Sequence, residues 1–162
     1  MDTMISNTLA SRVSVVPANW RDLNVLRTLE QVCFPKDVWP LWDLIGVLTL
    51  PNVVRLKAMV DGKMVGFIGG DVRRSEGVSW IATIGVLPEF RRRGIGAALL
   101  QACEAQLVPI TPIIRLSVRA SNQAALRLYK GLGYRHYTLW ERYYSDGEDA
   151  IVLEKSQRDY RL

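Results

Sequence analysis

The amino-acid sequence predicts a mixed α/β domain built on a mostly antiparallel sheet, and three patterns carry this prediction. Two alternating apolar runs are joined by Asp61-Gly62, which is typical of a β-hairpin. A strand pattern at residues 78–87 leads through a basic, glycine-containing turn into an amphipathic helix at residues 94–107. Two further strand patterns within residues 134–155 close the chain as an antiparallel pair. The predicted order, β-α-α-β-β-β-α-β-α-β-β, excludes a doubly wound parallel fold and a barrel.

The N-terminal third predicts one strand followed by helices. Residues 11–18 alternate between apolar and polar side chains, which indicates a strand that ends near Pro17. Residues 19–34 carry apolar side chains at helical spacing, with Asn19 as the predicted N-cap. The aromatic segment 35–51 is bounded by prolines. We expect it to form one or two short helices within a loop that makes one wall of a cleft.

Two further features complete the predicted elements. The pair Gly69-Gly70 stands inside the second hairpin strand and predicts a β-bulge or a close backbone approach. Residues 111–120 are mostly apolar, as expected of a central strand. Ser121 is then the predicted cap of a helix over residues 122–132.

Composition predicts one globular domain over residues 1–162, with its core at about 11–155. Hydrophobic residues make up 49% of the chain and charged residues 23%, which are ordinary globular values. The net charge of +5 suits an anionic ligand but is too weak to indicate nucleic acid. Cys33 and Cys103 show no metal-binding spacing. No apolar run approaches the roughly 20 residues that span a bilayer, and no secretory signal is evident near Asp2. We therefore expect a soluble cytoplasmic protein, a monomer or homodimer, with no metal, membrane or nucleic-acid partner.

The turn "RRRGIG" combines three arginines with two glycines at the start of a helix. The N-terminus of a helix offers unpaired N–H groups and positive dipole charge, which together bind anions. Glycine at positions 94 and 96 lets a ligand approach the backbone. A dinucleotide-binding motif would need a small residue where Leu99 stands, and the Gly-Lys-Ser/Thr ending of a P-loop is absent. From these residues alone, a phosphate site and a solvated basic loop remain equally open.

Two segments resemble the GNAT family of N-acetyltransferases. The run Arg91-x-x-Gly94-x-Gly96 is similar to that family's Gln/Arg-x-x-Gly-x-Gly/Ala motif. The segment "RASNQAALRLYKGLGY" is similar to its Asn-x-x-Ala-x-x-Leu-Tyr-x-x-x-Gly-Phe/Tyr motif, here Asn122, Ala125, Leu128, Tyr129, Gly133 and Tyr134. The order of elements agrees over residues 13–155. The resemblance implies the acyl-CoA N-acyltransferase fold, in which the two middle strands splay apart.

The same resemblance implies acetyl-CoA as donor and a primary amine as acceptor. The implied cofactor-binding residues are Ile84, Gly85 and Val86 for the pantetheine arm, Arg91, Arg92, Arg93, Gly94, Ile95 and Gly96 for the pyrophosphate, and Asn122 near the thiol. A helix cap is an alternative role for Asn122. Tyr129 is the implied general acid. Because a phenol titrates near ~10 and a thiol near ~8.5, a strong hydrogen bond to the thiolate is a better description than full proton transfer. Packing in the core is the alternative role of Tyr129.

The acceptor side also carries a resemblance, to ribosomal-protein-alanine N-acetyltransferases and related N-terminal acetyltransferases. It lies in "VCFPKDVWP" and "RYYSDGEDAIVLEK". The implied substrate-binding residues are Phe34, Trp39, Tyr143 and Tyr144; for the two tyrosines, packing in the sheet is the alternative. One departure stands out: Ser117 occupies the position of that group's glutamate base, and a serine can only hold a water.

The absence of that glutamate favours an α-amine as acceptor. An α-amine with a pKa of about 7.8 is about a quarter to a third neutral at pH 7.4, whereas a lysine amine is about 0.1% neutral. Loss of the base therefore penalises lysine more, by roughly 3.5 kcal/mol. Glu30, Glu76 and His136 are substitute bases acting through water, and the sequence does not rank them.

Three functional hypotheses follow from the sequence. The leading one is acetyl transfer to the α-amine of a protein or peptide, by direct attack in a ternary complex. The second is acetylation of a small-molecule amine or antibiotic. The third is a non-catalytic acyl-CoA-binding module, motivated by Ser117.

Overall fold

The structure is a computed structural model that describes residues 12–157. Ser11 of the predicted first strand and the segment around Asp2 lie outside this range. The strands are β1 Ser14–Pro17, β2 Val53–Val60, β3 Lys63–Arg73, β4 Val78–Val86, β5 Ile113–Arg119, β6 Arg135–Trp140 and β7 Ala150–Ser156. The α-helices are α1 Leu23–Cys33, α2 Leu41–Thr49, α3 Ile95–Leu107 and α4 Gln123–Gly131. None of the helices in the described range is both long and apolar enough to cross a membrane.

The strands form one sheet in the order β1-β2-β3-β4-β5-β7-β6. Neighbouring strands are antiparallel except for β4 and β5, which pair in parallel. That parallel pairing joins Val78–Trp80 to Ile113–Arg115 and goes no further. Beyond Trp80 the two strands separate, so the sheet is open between their C-terminal ends. The predicted mixed α/β class and the splay between the middle strands are confirmed.

The central hairpin forms as predicted. Asp61 and Gly62 both have positive φ angles, 49° and 75°, which is the conformation that a two-residue hairpin turn with right-handed twist requires. The register between β3 and β4 shifts between Gly69 and Gly70, which confirms the predicted bulge. Ala82 is the extra residue on β4, and it stands within the stretch where β4 has left β5.

Two apolar layers cover the two faces of the sheet. On one face, α3 and α4 bury a large cluster that includes the fully buried Leu99, Leu100 and Leu107. On the other face, α1 and α2 bury a smaller cluster around Leu26 and Leu44. Each such leucine contributes about 1.5–3 kcal/mol relative to an exposed one. The larger cluster contains residues of both halves of the sheet, among them Ile68 on β3 and Ile114 on β5, and so keeps the halves aligned where β4 and β5 are not paired.

The start of α4 differs from the prediction. The N-cap is Asn122 and not Ser121, because Asn122 Oδ1 accepts the hydrogen bond of the Ala125 amide at 3.1 Å. Within residues 12–157, the corresponding bond from the Ala124 amide to the side chain of Ser121 is not formed. Ser121 instead donates its backbone N–H to Glu148 Oε2 at 2.8 Å.

The final strand pair is also shorter than predicted. β6 ends at Trp140, so Tyr143 and Tyr144 lie in the β6–β7 connection and not in a strand. Arg142 has a left-handed φ of 47°, and its amide donates to Asp149 Oδ1 at 2.8 Å. This local turn ends the pairing of the two strands and directs the tyrosines out of the sheet.

Replacing Gly69 with alanine is expected to lower the free energy of unfolding by about 1–3 kcal/mol, because the added methyl group overlaps a neighbour. A Cβ atom at Gly69 would lie 2.5 Å from Cγ2 of Val47, a buried residue on α2. Gly131→Ala in α4 is the matched control: a Cβ atom there has no neighbour within 4 Å, so we expect a gain of up to about 1 kcal/mol. Denaturant titration of both variants measures the difference, and an unchanged or increased stability of Gly69→Ala would contradict the packing at the bulge.

Candidate active site

The opening between β4 and β5 is closed on one side by the end of α1. Gly85 lies on the separated part of β4, and α1 packs closely against it. A Cβ atom at Gly85 would come within 3.2–3.3 Å of Phe34, Cys33 and Leu29. The absence of a side chain at this position therefore brings the backbone of β4 and the Phe34 ring together. Residues 84–86, which the resemblance assigns to the pantetheine arm, have no strand partner on the β5 side within residues 12–157.

The arginine-glycine turn has the backbone geometry of an anion site. Arg92 and Gly94 have left-handed φ angles of 62° and 77°, and α3 begins directly afterwards at Ile95. Gly94 is the N-cap and provides no side-chain hydrogen bond, so the first amides of α3 are uncapped. Arg91 donates from Nε to the Val86 carbonyl at 2.9 Å, which fixes the turn to the end of β4.

The two glycines fit the group that the resemblance implies. A Cβ atom at Gly94 would have no neighbour within 4 Å, and one at Gly96 would make an ordinary contact with Leu128 at 3.6 Å. Contacts within the protein therefore do not exclude a side chain at either position, although the φ of Gly94 favours glycine. Because neither glycine has a side chain, the backbone amides are accessible to a ligand. A pyrophosphate is the kind of group that uncapped amides and nearby arginines bind. Arg93, whose guanidinium lies 5.2 Å from the Phe90 ring, is exposed beside the turn.

Tyr129 packs in the core, which is one of the two roles that the sequence left open. It is 7% exposed within the core, with its ring edge-on to Tyr134 at 6.1 Å. Burial raises the pKa of Tyr129 to about 12. Its hydroxyl makes no hydrogen bond to any residue in the described range, so the donor is available. Asn122 caps α4 with its side-chain oxygen. Its side-chain N–H groups remain available as donors, so the cap does not exclude a hydrogen bond to the cofactor.

Ser117 and Tyr144 meet on the acceptor side of the sheet. Alternation along β5 places Ser117 on the same face as Arg115 and Arg119. Its hydroxyl lies close enough to the phenol of Tyr144 to lower the pKa of that phenol. Burial raises the pKa of Tyr144, and the contact with Ser117 partly opposes this shift. The position of the family's glutamate therefore holds two neutral hydroxyls that can orient a water but cannot accept its proton at neutral pH.

A row of aromatic rings lines the same face. Trp80 stacks on Trp140 with ring centroids 5.5 Å apart, and Trp140 contacts Tyr143 at 5.1 Å. Tyr143 in turn meets Tyr144 edge-to-face at 5.1 Å. Neither Trp80 nor Trp140 was predicted to lie at the site. Alternation indicates which face each one occupies, but Trp80 and Trp140 become neighbours only through the strand order.

The two other residues predicted for the acceptor differ in position. Phe34 lies at the opening, against Gly85. Trp39 is half-buried and packs against the core cluster of α1 and α2. Phe34 thus lies at the opening, Tyr143 and Tyr144 lie near Ser117, and Trp39 supports the loop.

The three substitute bases are now distinguishable. Glu30 on α1 is 1% exposed, and its Oε1 accepts a hydrogen bond from Thr83 Oγ1 at 2.7 Å. Its Oε2 is buried without a partner among the described residues. Burial raises the pKa of Glu30, and the Thr83 hydrogen bond partly opposes the rise. Glu76 is exposed in a turn near Arg73, and His136 is exposed on the edge strand β6. Of the three, only Glu30 lies beside the separated part of β4.

Comparison with known proteins agrees with this geometry. Residues 23–134 match the acetyltransferase (GNAT) family. The chain is 36% identical over 140 residues to an uncharacterized N-acetyltransferase of Methanocaldococcus jannaschii, covering 85% of this chain and 87% of that protein. It is 32% identical over 128 residues to the N-alpha-acetyltransferase RimI of Mycobacterium tuberculosis, covering 76% and 78%. The crystal structure of the ribosomal-protein-S18-alanine N-acetyltransferase from Escherichia coli superposes with a TM-score of 0.81, at 28% identity, covering 90% and 94%.

The chain therefore belongs to the acetyltransferase (GNAT) family. It is an acetyl-CoA-dependent N-acetyltransferase. The expectations of family, fold and donor made from the two sequence motifs are confirmed.

Replacing Glu30 with glutamine is expected to change how stability depends on pH. Because the pKa of Glu30 is raised in the folded protein, its ionisation destabilises the fold as pH rises from about 4.5, the ordinary glutamate value, through the folded value. Each unit of that rise corresponds to about 1.4 kcal/mol. Glu30→Gln lacks this ionisation. Its free energy of unfolding, relative to that of the parent protein, should therefore rise as pH increases over this window.

Denaturant titrations between pH 4 and 8 measure this difference. Thr83→Val serves as a second variant, since losing the hydrogen bond that favours the charged carboxylate should raise the pKa of Glu30 further and extend the decline in stability to higher pH. Parallel pH curves for the parent protein and both variants would show that Glu30 is not ionising in a buried site.

Proposed function

We propose that the protein transfers the acetyl group of acetyl-CoA to the α-amine of a protein or peptide N-terminus, with direct attack of the amine in a ternary complex. The observation that carries this proposal is the position of the β6–β7 connection. It lies over the acceptor face, with Tyr144 against Ser117 and Tyr143 exposed beside it. Phenol and backbone groups along an open wall suit an extended peptide, which offers hydrogen-bonding groups along its whole length. The N-alpha-acetyltransferase and S18-alanine relatives support the same acceptor class.

On the donor side, acetyl-CoA supplies an acyl group activated as a thioester. The unpaired edge of β4 at residues 84–86 would bind the pantetheine arm by backbone hydrogen bonds. The uncapped amides from Gly94 to Gly96 would bind the pyrophosphate, and Arg91, Arg92 and Arg93 would attract it.

Tyr129 is the proposed hydrogen-bond donor to the sulfur that leaves. With its pKa at about 12, the phenol keeps its proton more firmly than a thiol with a pKa of about 8.5. It therefore stabilises the developing thiolate by a hydrogen bond in a buried site and does not need to give up the proton.

The acceptor proton leaves without a carboxylate at position 117. Ser117 and Tyr144 would orient a water near the amine, and an α-amine is already partly neutral at physiological pH. This chemistry favours an α-amine over a lysine amine. The cytoplasm is the proposed compartment, since both cysteines are free thiols, as is usual in reducing surroundings.

A panel of three acceptors tests the proposal. The first peptide has a free N-terminus and no lysine, and the second has a blocked N-terminus and one lysine. We expect kcat/KM to be about 100-fold or more higher for the first peptide, because deprotonating a lysine amine costs roughly 3.5 kcal/mol more than deprotonating an α-amine. Polyamines, aminoglycosides and free amino acids form the third class. CoA release measures the rate, and intact mass locates the acetyl group.

The panel also separates the alternative functions. Activity confined to the small amines would overturn the peptide assignment and support a small-molecule acetyltransferase. Tight binding of acetyl-CoA without turnover of any acceptor would support a non-catalytic binding module.

Tyr129→Phe is expected to lower kcat by about 100-fold or more while leaving the Kd of acetyl-CoA unchanged, because the hydroxyl acts on the departing sulfur only. Tyr134→Phe is the matched control. The Tyr134 hydroxyl donates to buried Glu104 Oε1 at 2.8 Å, so its loss should affect stability and leave kcat nearly unchanged. Single-turnover kinetics with both variants measure the effect, and equal kcat values for Tyr129→Phe and the parent protein would remove Tyr129 from the mechanism.

A further inference from the structure

We propose that Arg119 is a positioning residue for the acceptor, because it ties together the two connections that form the sides of the acceptor site. This inference rests on the proposed function for the identity of the acceptor. The connections are residues 34–40, between α1 and α2, and residues 141–149, between β6 and β7. Arg119 is the last residue of β5 and lies between them.

The guanidinium of Arg119 binds three carboxylates at once. Nε and Nη2 donate to the two oxygens of Asp37 at 2.8 and 2.7 Å, which is the bidentate geometry typical of strong arginine–carboxylate pairs. Nη1 donates to both oxygens of Asp146, at 3.0 and 2.9 Å, and to Glu148 Oε1 at 2.9 Å. The guanidinium carbon also lies 4.1 Å from the centroid of the Tyr144 ring.

These partners belong to the segments that carry the predicted acceptor residues. Asp37 follows Phe34 by three positions, and Asp146 and Glu148 follow Tyr144 closely. Within residues 12–157, the hydrogen bonds that link the two connections all pass through Arg119. Arg119 therefore carries the hydrogen-bonded link between the segment of Phe34 and the segment of Tyr144.

The number of hydrogen bonds, more than burial, distinguishes this cluster from a single surface ion pair. The Arg119 side chain is 14% exposed, and its carboxylate partners Asp37, Glu148 and Asp146 are 32%, 23% and 43% exposed. The three carboxylates raise the pKa of Arg119, and the guanidinium contributes to lowering the pKa of Asp146 and Glu148. Without the arginine, three carboxylates would face one another with no cation between them, and their repulsion would push the two connections apart.

Glu148 extends the cluster to the donor side. While Oε1 accepts from Arg119, Oε2 accepts from the Ser121 amide at 2.8 Å, next to the Asn122 cap of α4. The backbone carbonyl of Glu148 accepts from the Tyr144 amide at 3.1 Å. The β6–β7 connection is thus fixed relative to the turn that leads into α4, and α4 carries Tyr129.

The same strand provides a matched control in Arg115. It lies four residues earlier on the same face, pairs with Glu154 at 2.7 Å and covers the Tyr137 ring at 4.0 Å. Both partners are in strands of the sheet, so this pair joins no connections. Arg115 thus has ionic and aromatic contacts like those of Arg119 but does not link the two connections.

The test compares Arg119→Met, Arg119→Lys and Arg115→Met in steady-state kinetics with the free α-amine peptide. Arg119→Met is expected to raise the acceptor KM by about tenfold or more, because displaced connections position the amine less well. The Kd of acetyl-CoA should stay within about twofold of the value for the parent protein. Arg119→Lys should recover part of the loss, since a lysine can pair with one carboxylate but cannot form the bidentate fork. Arg115→Met should leave the acceptor KM near that of the parent protein.

Hydrogen exchange gives a readout that is independent of the acceptor. In Arg119→Met, the amides of residues 34–40 and 141–149 should exchange faster than in the parent protein, and in Arg115→Met they should not. If the parent protein acetylates no peptide, the proposed function fails while this exchange result still supports the link between the connections. Unchanged exchange in Arg119→Met, or the same acceptor KM for Arg119→Met and Arg115→Met, would overturn the proposal.

Discussion

The separation of β4 from β5 is the constraint on which the rest of the molecule depends. Three residue pairs join the strands, and beyond Trp80 each strand has an edge inside the sheet without a strand partner. Buried backbone groups without partners cost free energy, so such an opening persists only where other contacts fix both sides. Here one apolar cluster includes residues from both halves, among them Ile68 on β3 and Ile114 on β5. The core thus keeps open a gap that backbone pairing alone would close, and this gap is the proposed site.

Much of the architecture could be predicted because it is encoded locally. Asp61-Gly62 has the chemistry that a tight hairpin turn demands, and Gly69-Gly70 indicated the bulge. The cap of α4 could not be predicted as well, since serine and asparagine are adjacent and both are good caps. The choice depends on Glu148, a residue 27 positions away from Ser121, which engages the Ser121 amide. Local patterns contain no information about that contact.

The candidate site was predictable where it rests on motifs and not where it rests on long-range pairing. The arginine-glycine turn and Tyr129 are predicted site residues because their motifs resemble those of the family. The contact of Glu30 with Thr83 joins residues 53 apart, and that of Arg119 with Asp37 joins residues 82 apart. Periodicity shows the face on which a side chain lies, but the neighbour across the sheet depends on strand order and register. The parallel step from β4 to β5 determines both.

The donor and acceptor sides of the opening rely on different chemical groups. The donor side offers main-chain amides at the start of α3 and along β4, whose positions depend on glycines and not on particular side chains. The acceptor side offers side chains on irregular segments joined through one cation. We infer that aromatic residues on the acceptor segments can be replaced without moving the amides that would bind the donor. Replacing the arginine at the end of β5, in contrast, would leave three carboxylates on two segments without their shared cation.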